Sequence, residues 1–360
     1  MNKFQLLKSF IVAFAILSVF SCTKESPEVI IPFDKKVIVI NQGNFTEHSA
    51  SISIYDESTG AIENRVFESA NGVSIGATVI SGAIAPNRQA YLICNNPDKI
   101  EIIDSRTAKV ASDPIINGLA SPRDAVITRD RIYVTNWDYD YVVNSIGFWE
   151  FINSYVAVYD AFTGNLIKKV KVGTDAEGIL LYGDKLFVAV KEGVRVLDIT
   201  NDNFDVLATI RPASVTGGAK HFAIDKNGSL WASFPDKGVV QIDPRNMSVL
   251  SVAEVPVDSM DGYITSDDKG ENIYTYHTIF DSNYMAQESS VYRVDISNAI
   301  ITKLFSGNYF YGVGVSPSTG NIFTAQVNFT SNSLIKIFSK SGALQATATS
   351  GVGTSRYLFF

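Results

Sequence analysis

The sequence predicts an all-β chain: a seven-bladed β-propeller of four-stranded antiparallel blades, its ring closed by the C-terminal strand joining the N-terminal blade. Three observations predict it. A short apolar strand ending in Asp before a Ser/Thr/Gly/Asn-rich turn recurs at Asp56, Asp104, Asp160, Asp198, Asp243 and Asp295, with Ser339 in the seventh place. Before each comes an apolar run such as "KLFVAV", "SLWASF", "NIYTYH" or "NIFTAQ", and earlier still a phrase such as "PRDAVI", "AEGILL" or "YGVGVS". Helical periodicity is almost missing after residue 30. Short alternating runs rich in Val, Ile, Tyr and Phe, separated by turn residues, read as strands. Four of them per repeat, at a period in the forties, is the pattern of a propeller blade.

Successive repeat positions are 48, 56, 38, 45, 52 and 44 residues apart, so the loops are uneven while the blades are not. The first repeat opens at "VIVINQG" without a phrase like "PRDAVI", and the last residues, "TSRYLFF" (354–360), fit the missing one. The last strand is therefore expected to sit innermost in the first blade. Such closure removes the open sheet edges that invite aggregation.

The chain has 360 residues, of which 46% are hydrophobic and 19% charged, enough to bury a large core. A net charge of −7 argues against a nucleic-acid partner, which would select a basic face. Lys3 and Lys8 precede the apolar run "FIVAFAILSVF" (10–20), which is too short to span a bilayer and suits a signal peptide over residues 1–21. Ser21 and Cys22 follow as in a bacterial lipobox, which makes Cys22 the expected lipidation site and the lipid the sole membrane contact. Residues 22–35 read as a polar tether and 36–360 as the propeller domain. Expected residence is the cell envelope, at the outer-membrane surface. Cys94, the other cysteine, lies in the apolar strand "AYLIC" and is expected to be buried and unpaired.

If strands are lettered A to D from the axis outward, the A–B and C–D turns share one face. They are short and uniform ("APNRQ", "DKNG", "ESTG", "AFTG"), and the repeated Asp is expected to cap its own turn there, with no metal role. The B–C and D–A loops share the opposite face. They are long, uneven and rich in aromatic and amide side chains: "NQGNFTEHSA", "NWDYDYVVNSIGFWEFINSY", "HTIFDSNYMAQESS", "SGNYFYG". Long loops on a rigid scaffold are where binding sites usually lie. "NFT" occurs at 44–46 and again at 328–330, in matched loops of blades made neighbours by closure. Those loops read either as a shared aromatic-amide shelf or as inherited turn sequence.

The chain contains no HExxH, paired-Cys metal motif, nucleotide-type glycine loop or GxSxG elbow. His48, His221 and His277 fall in different repeats without metal-ligand spacing. Arg123, Asp124, Glu177, Lys220, His221, Asp261 and Arg356 project as a polar ring around the axis. Glu177 and Asp261 would suit a divalent ion in isolation, but basic neighbours oppose a cation. No catalytic residue, metal or cofactor is therefore expected.

Two segments, "VINQGNFTEHSASISIYDESTG…FESANG" and "YFYGVGVSPSTGNIFTA", resemble the cobalamin-capturing surface lipoproteins of Bacteroidota. More broadly, "YLICNNPDKIEIIDSRTAKV" and "LASPRDAVI" resemble the YncE-like, surface-layer-like propellers. The resemblance implies a non-enzymatic protein that binds a small ligand, a corrinoid, on its loop face and hands it to a TonB-dependent outer-membrane transporter. It directs attention to Asn44, Phe45, Asn95, Arg123, Trp137, Tyr139, His221, His277, Tyr311 and Arg356 as ligand-binding residues. Of the insertion "NWDYDYVVNSIGFWEF" (136–151), Trp137 and Tyr139 are expected nearest the axis, with Phe148, Trp149 and Phe151 farther out. Two other classes fit the residues less well: a protein-interaction scaffold of the envelope, and a metal-dependent propeller hydrolase or lactonase with its ion near Glu177.

Overall fold

The computed structural model describes residues 35–255, 262–283 and 285–360. The expected leader, Cys22 and Asp261 lie outside them, as does all of the tether except Lys35. Seven four-stranded antiparallel sheets follow one another in a ring. Blade 3 illustrates the plan: Pro122–Ile127, Arg131–Asn136, Ser154–Asp160 and Leu166–Gly173 run from the axis outward. The B strands are buried on both faces and read as continuous apolar runs, whereas the outermost D strands are largely exposed.

Closure follows the sequence expectation. Strand Thr354–Phe359 pairs antiparallel with Lys36–Asn41, Val37 opposite Phe359 and Ile40 opposite Arg356, and is the innermost strand of blade 1. Among the described residues seven apolar clusters are resolved, and each lies between two adjacent blades. One joins Val37, Val39 and Tyr55 of blade 1 to Phe323, Ile335 and Ile337 of blade 7, with Tyr357 from the closing strand. No blade can bury its own faces, so the ring is the folding unit.

Turn chemistry sets the blade edges. Asp56, Asp104, Asp160, Asp198, Asp243 and Asp295 each accept a hydrogen bond from the backbone N–H two residues on. These are Asx turns, which fix the C–D connection by local geometry. At the axis, B-strand hydroxyls bind backbone carbonyls of the inner-strand segments: Thr135 to Glu177 at 2.5 Å, Thr324 to Gly312 at 2.8 Å and Thr275 to Tyr263 at 2.9 Å. The Thr and Ser in "RIYVTN", "LWASF", "IYTYH" and "IFTAQ" thus satisfy buried carbonyls inside otherwise apolar strands.

Three features differ from the sequence expectation. A six-residue helix, Val66–Asn71, crosses between blades 1 and 2, anchored by the buried Val66 and Phe67. It is too short to show a helical period. Residues 277–290 are mostly not loop, because strands Asn272–Phe280 and Ala286–Asp295 stay paired beyond the blade, with His277 opposite Ser290. The 136–151 insertion is not irregular either. Tyr141–Val143 and Trp149–Phe151 form a separate two-stranded hairpin.

Candidate functional site

The hairpin begins as a consequence of its turn. Asn144 accepts backbone hydrogen bonds from Ile146 and Phe148, and Gly147 takes the left-handed backbone (φ 87°) that the reversal requires. Glu150 ties the hairpin to Lys191 of blade 4, and Asp175 accepts the Phe151 N–H at 2.8 Å. The ribbon is thereby held over blade 3 with its rings stacked in pairs. Tyr141 lies on Trp149 with centroids 4.9 Å apart, and Trp137 on Phe151 at 4.6 Å and 15° between planes.

Beneath it opens a cup of about 1070 Å³ on the loop-rich face. Blade 1 contributes Gln42 and Phe45, blade 2 Asn95 to Asp98, and blade 3 Ser121, Arg123 and the hairpin rings. The polar rim is cross-linked. Asn95 donates to Ser121 Oγ at 2.9 Å, Asn96 to the Phe45 carbonyl at 3.2 Å, and Asp98 accepts the Ser121 N–H at 2.7 Å. The Tyr139 hydroxyl donates to Asp98, and burial together with this carboxylate pushes its pKa up to about 12. Trp149 nevertheless remains 61% exposed and Tyr139 66%. Large aromatic side chains left open to water around a concavity are the feature a binding site needs and a core does not.

At its axial side the cup meets a charged cluster. The Arg123 guanidinium lies 3.9 Å from the Trp137 ring centroid and donates to Glu177 Oε2 at 3.0 Å, while Lys220 Nζ reaches Glu177 Oε1 at 2.9 Å. Burial works to raise the Glu177 carboxyl, but Arg123 and Lys220 outweigh it and push it down to about 2. Gly178 makes this approach possible. Its N–H donates to the Lys220 carbonyl at 2.8 Å, and a Cβ there would lie 2.6 Å from that same oxygen. Next to Lys220, His221 stacks on Tyr263 at 4.5 Å, and Arg356 lies 3.8 Å from the same ring. Burial, and then the Arg356 charge, hold the His221 imidazole well below its usual pKa, so it is neutral at pH 7.

Of the sequence-selected residues, Phe45, Asn95, Arg123, Trp137 and Tyr139 line the cup. His221, Tyr311 and Arg356 lie in the axial cluster, where the Tyr311 hydroxyl donates to Gln42 at 3.1 Å. Asn44 is turned to its own loop: its Oδ1 accepts from the Thr46 and Glu47 N–H groups, and its Nδ2 donates to the Phe329 carbonyl. Asn328 makes the matching turn with Thr330 and Ser331. The two "NFT" loops therefore touch without forming a common shelf. Phe45 faces the cup, while Phe329 packs edge-on against Tyr311. His277 is a correction, since it is buried in strand Asn272–Phe280 rather than placed on a loop.

Phe148, Trp149 and Phe151, expected farther along the insertion than Trp137 and Tyr139, also line the cup, as do Asn96, Pro97 and Asp98. The signal for the first three was "NSIG", a four-residue turn between two aromatic ends, which folds the insertion back on itself. Among the described residues no group of three or more His, Cys, Asp or Glu side chains gathers to hold a metal ion. Cys94 is unpaired and fully buried, and burial pushes its thiol up to about 12.

Ring, cup and axial cluster define a seven-bladed β-propeller with an aromatic recess off its axis. The chain belongs to the family described as "Domain of unknown function (DUF5074)", whose model matches residues 35–351. No curated protein matches it. Among solved structures it is similar to a protein of Bacteroides uniformis described provisionally as a 6-phosphogluconolactonase, at 12% identity and a TM-score of 0.63, covering 91% of this chain and 100% of that one. Apo AztD of Citrobacter koseri matches at 9% identity and a TM-score of 0.56, covering 90% and 97%. The Swd1 propeller domain of Myceliophteria thermophila matches at 13% and 0.55, covering 75% and 85%. At such identities these likenesses carry the fold alone.

Proposed function

We propose that this protein is a non-enzymatic envelope lipoprotein that captures a small ligand in the aromatic cup over blades 1 to 3. The observation that carries this is the hairpin of residues 141–151. It adds nothing to a blade sheet, yet it holds Tyr141, Phe148, Trp149 and Phe151 open around a recess of about 1070 Å³. That volume is at the top of the range of about 300–1,000 Å³ usual for small-molecule sites, so the ligand is large. A rim of amides and one guanidinium around stacked rings suits a broad apolar ring edged with amide groups. A corrinoid is such a molecule, as the resemblance to cobalamin-capturing lipoproteins implies.

The remaining parts of the reading rest on sequence. The apolar run 10–20 followed by Ser21 and Cys22 supports a lipid anchor, and the resemblance supports an outer-membrane surface position and hand-over to a TonB-dependent transporter. A scaffold role has one observation of its own: the hairpin tip exposes Val143 and Ile146 beyond the cup, Ile146 by 76%. Calorimetric titration with cyanocobalamin and with cobinamide tests the ligand. A saturable one-to-one heat supports the corrinoid reading, and no heat from either at tens of micromolar protein removes it.

A further inference from the structure

The lining of the cup is connected to the propeller axis by side-chain contacts. Two chains of contact lead from it to the axis. Arg123, on the cup lining, is paired with Glu177, which also holds Lys220. Gln42, also on the lining, accepts from the Tyr311 hydroxyl, and Tyr311 packs edge-on at 6.1 Å against Tyr263. Arg356 lies on the face of that Tyr263 ring.

Arg123 and Lys220 are both engaged by Glu177, but Arg356 is engaged by no carboxylate of the described residues. Among the described residues it makes no ion pair, and its Nε is buried without a hydrogen-bond partner. The acid that acts on it through space, Asp124, already accepts from Ser81 Oγ at 2.6 Å and is held above the usual carboxylate range by burial. Among the described residues the cluster thus sets three cationic side chains against two carboxylates. A guanidinium half-buried and unpaired is costly, because desolvation weakens its hydration and no counter-charge replaces it. Cation–π contact with Tyr263 restores only part of this. Arg356 sits on the inner strand of the closing blade, fixed by its register opposite Ile40, so it cannot swing to the surface with a loop.

We infer that Arg356 receives an anionic group, a carboxylate or a phosphate, carried by the molecule whose apolar body occupies the cup. The inference rests on the capture reading and narrows it: the ligand is amphipathic, with a charged arm reaching from the aromatic recess to the propeller axis. The fork of the guanidinium supplies two parallel donors to either anion.

Two fluorescent probes with one aromatic body test it: 1-pyrenebutyrate, an anion, and 1-pyrenebutanol, its neutral counterpart. The wild-type chain should bind the butyrate about tenfold more tightly, the worth of one charge-assisted contact. Inorganic phosphate should reduce butyrate affinity toward that of the butanol and leave the butanol unaffected. Arg356→Gln should abolish the preference with butanol affinity unchanged, whereas Trp149→Ala should weaken both probes. Equal wild-type affinities, or a preference that survives Arg356→Gln, would overturn the inference and leave the cup standing. Failure of either probe to bind saturably would remove the cup reading and the inference together. Should Arg356→Gln not fold, the phosphate competition in the wild type decides alone.

Discussion

At the scale of single residues, Glu177 carries the most. It is buried between Arg123 and Lys220, and its carboxyl is pushed from 4.5 to about 2. A folded-state value below the unfolded one means the folded form holds its proton less tightly, so the stabilisation is complete above pH 4.5. It is lost as pH falls toward 2. Glu177→Gln should destabilise by about 3–5 kcal/mol at pH 7, because it leaves two cations facing each other in a partly dry site. The partly exposed Lys220 draws that figure toward its lower end. In chemical denaturation the variant should also lose the fall in stability between pH 4.5 and 2 that the wild type shows. Trp137 and Trp149 should separate in a different way. Trp149→Ala removes an exposed ring and should cost under about 0.5 kcal/mol of stability while weakening ligand binding. Trp137→Ala removes a ring stacked on Phe151 and Arg123 and should cost about 1–3 kcal/mol, measured by thermal and urea unfolding.

At the scale of elements, the insertion in blade 3 is the part that varies independently of the ring. Its hairpin pairs with no blade strand, and it is held through Glu150, Phe151 and Ser154 at its base. Replacing residues 138–153 by a short Gly-Asn turn should abolish ligand binding and shift the melting temperature by only a few degrees. A large loss of stability would show that the hairpin is structural. Its position between strands B and C was legible, because repeat spacing swells to 56 residues there. Its hairpin form was not. Three-residue strands with exposed apolar side chains on the pair show no alternation, and the turn signal "NSIG" is short. His277 was misplaced for the converse reason. A polar run, "AQESS", reads as loop until it is seen paired across to "HTIF". Strand pairing beyond the blade is a tertiary fact that local composition does not encode.

At the scale of the whole molecule, closure is the property on which every blade depends. Tyr357 and Phe360 enter the clusters on either side of blade 1. Deleting residues 354–360 should therefore cost about 5 kcal/mol or more and broaden the unfolding transition, since it strips both neighbouring cores and frees an edge. An unchanged melting temperature would contradict the closed ring. The blade count and the closing strand were both legible, because turn residues and apolar runs recur wherever the backbone geometry repeats. The cup was legible as a face and as five of its lining residues, Phe45, Asn95, Arg123, Trp137 and Tyr139. Its shape, and the contacts that link Gln42 through Tyr311 and Tyr263 to Arg356, depend on how separate blades converge, and spacing along one chain does not fix that.

The central claim is that the cup over blades 1 to 3 captures a large ligand. Parallel calorimetric titrations of cyanocobalamin into the wild type and into Trp149→Ala test it most directly. The wild type should bind one-to-one, and the variant about tenfold more weakly, the worth of one aromatic contact of about 1.4 kcal/mol. Wild-type binding that Trp149→Ala leaves unchanged would place the ligand elsewhere on the propeller, and no binding by either protein would contradict corrinoid capture.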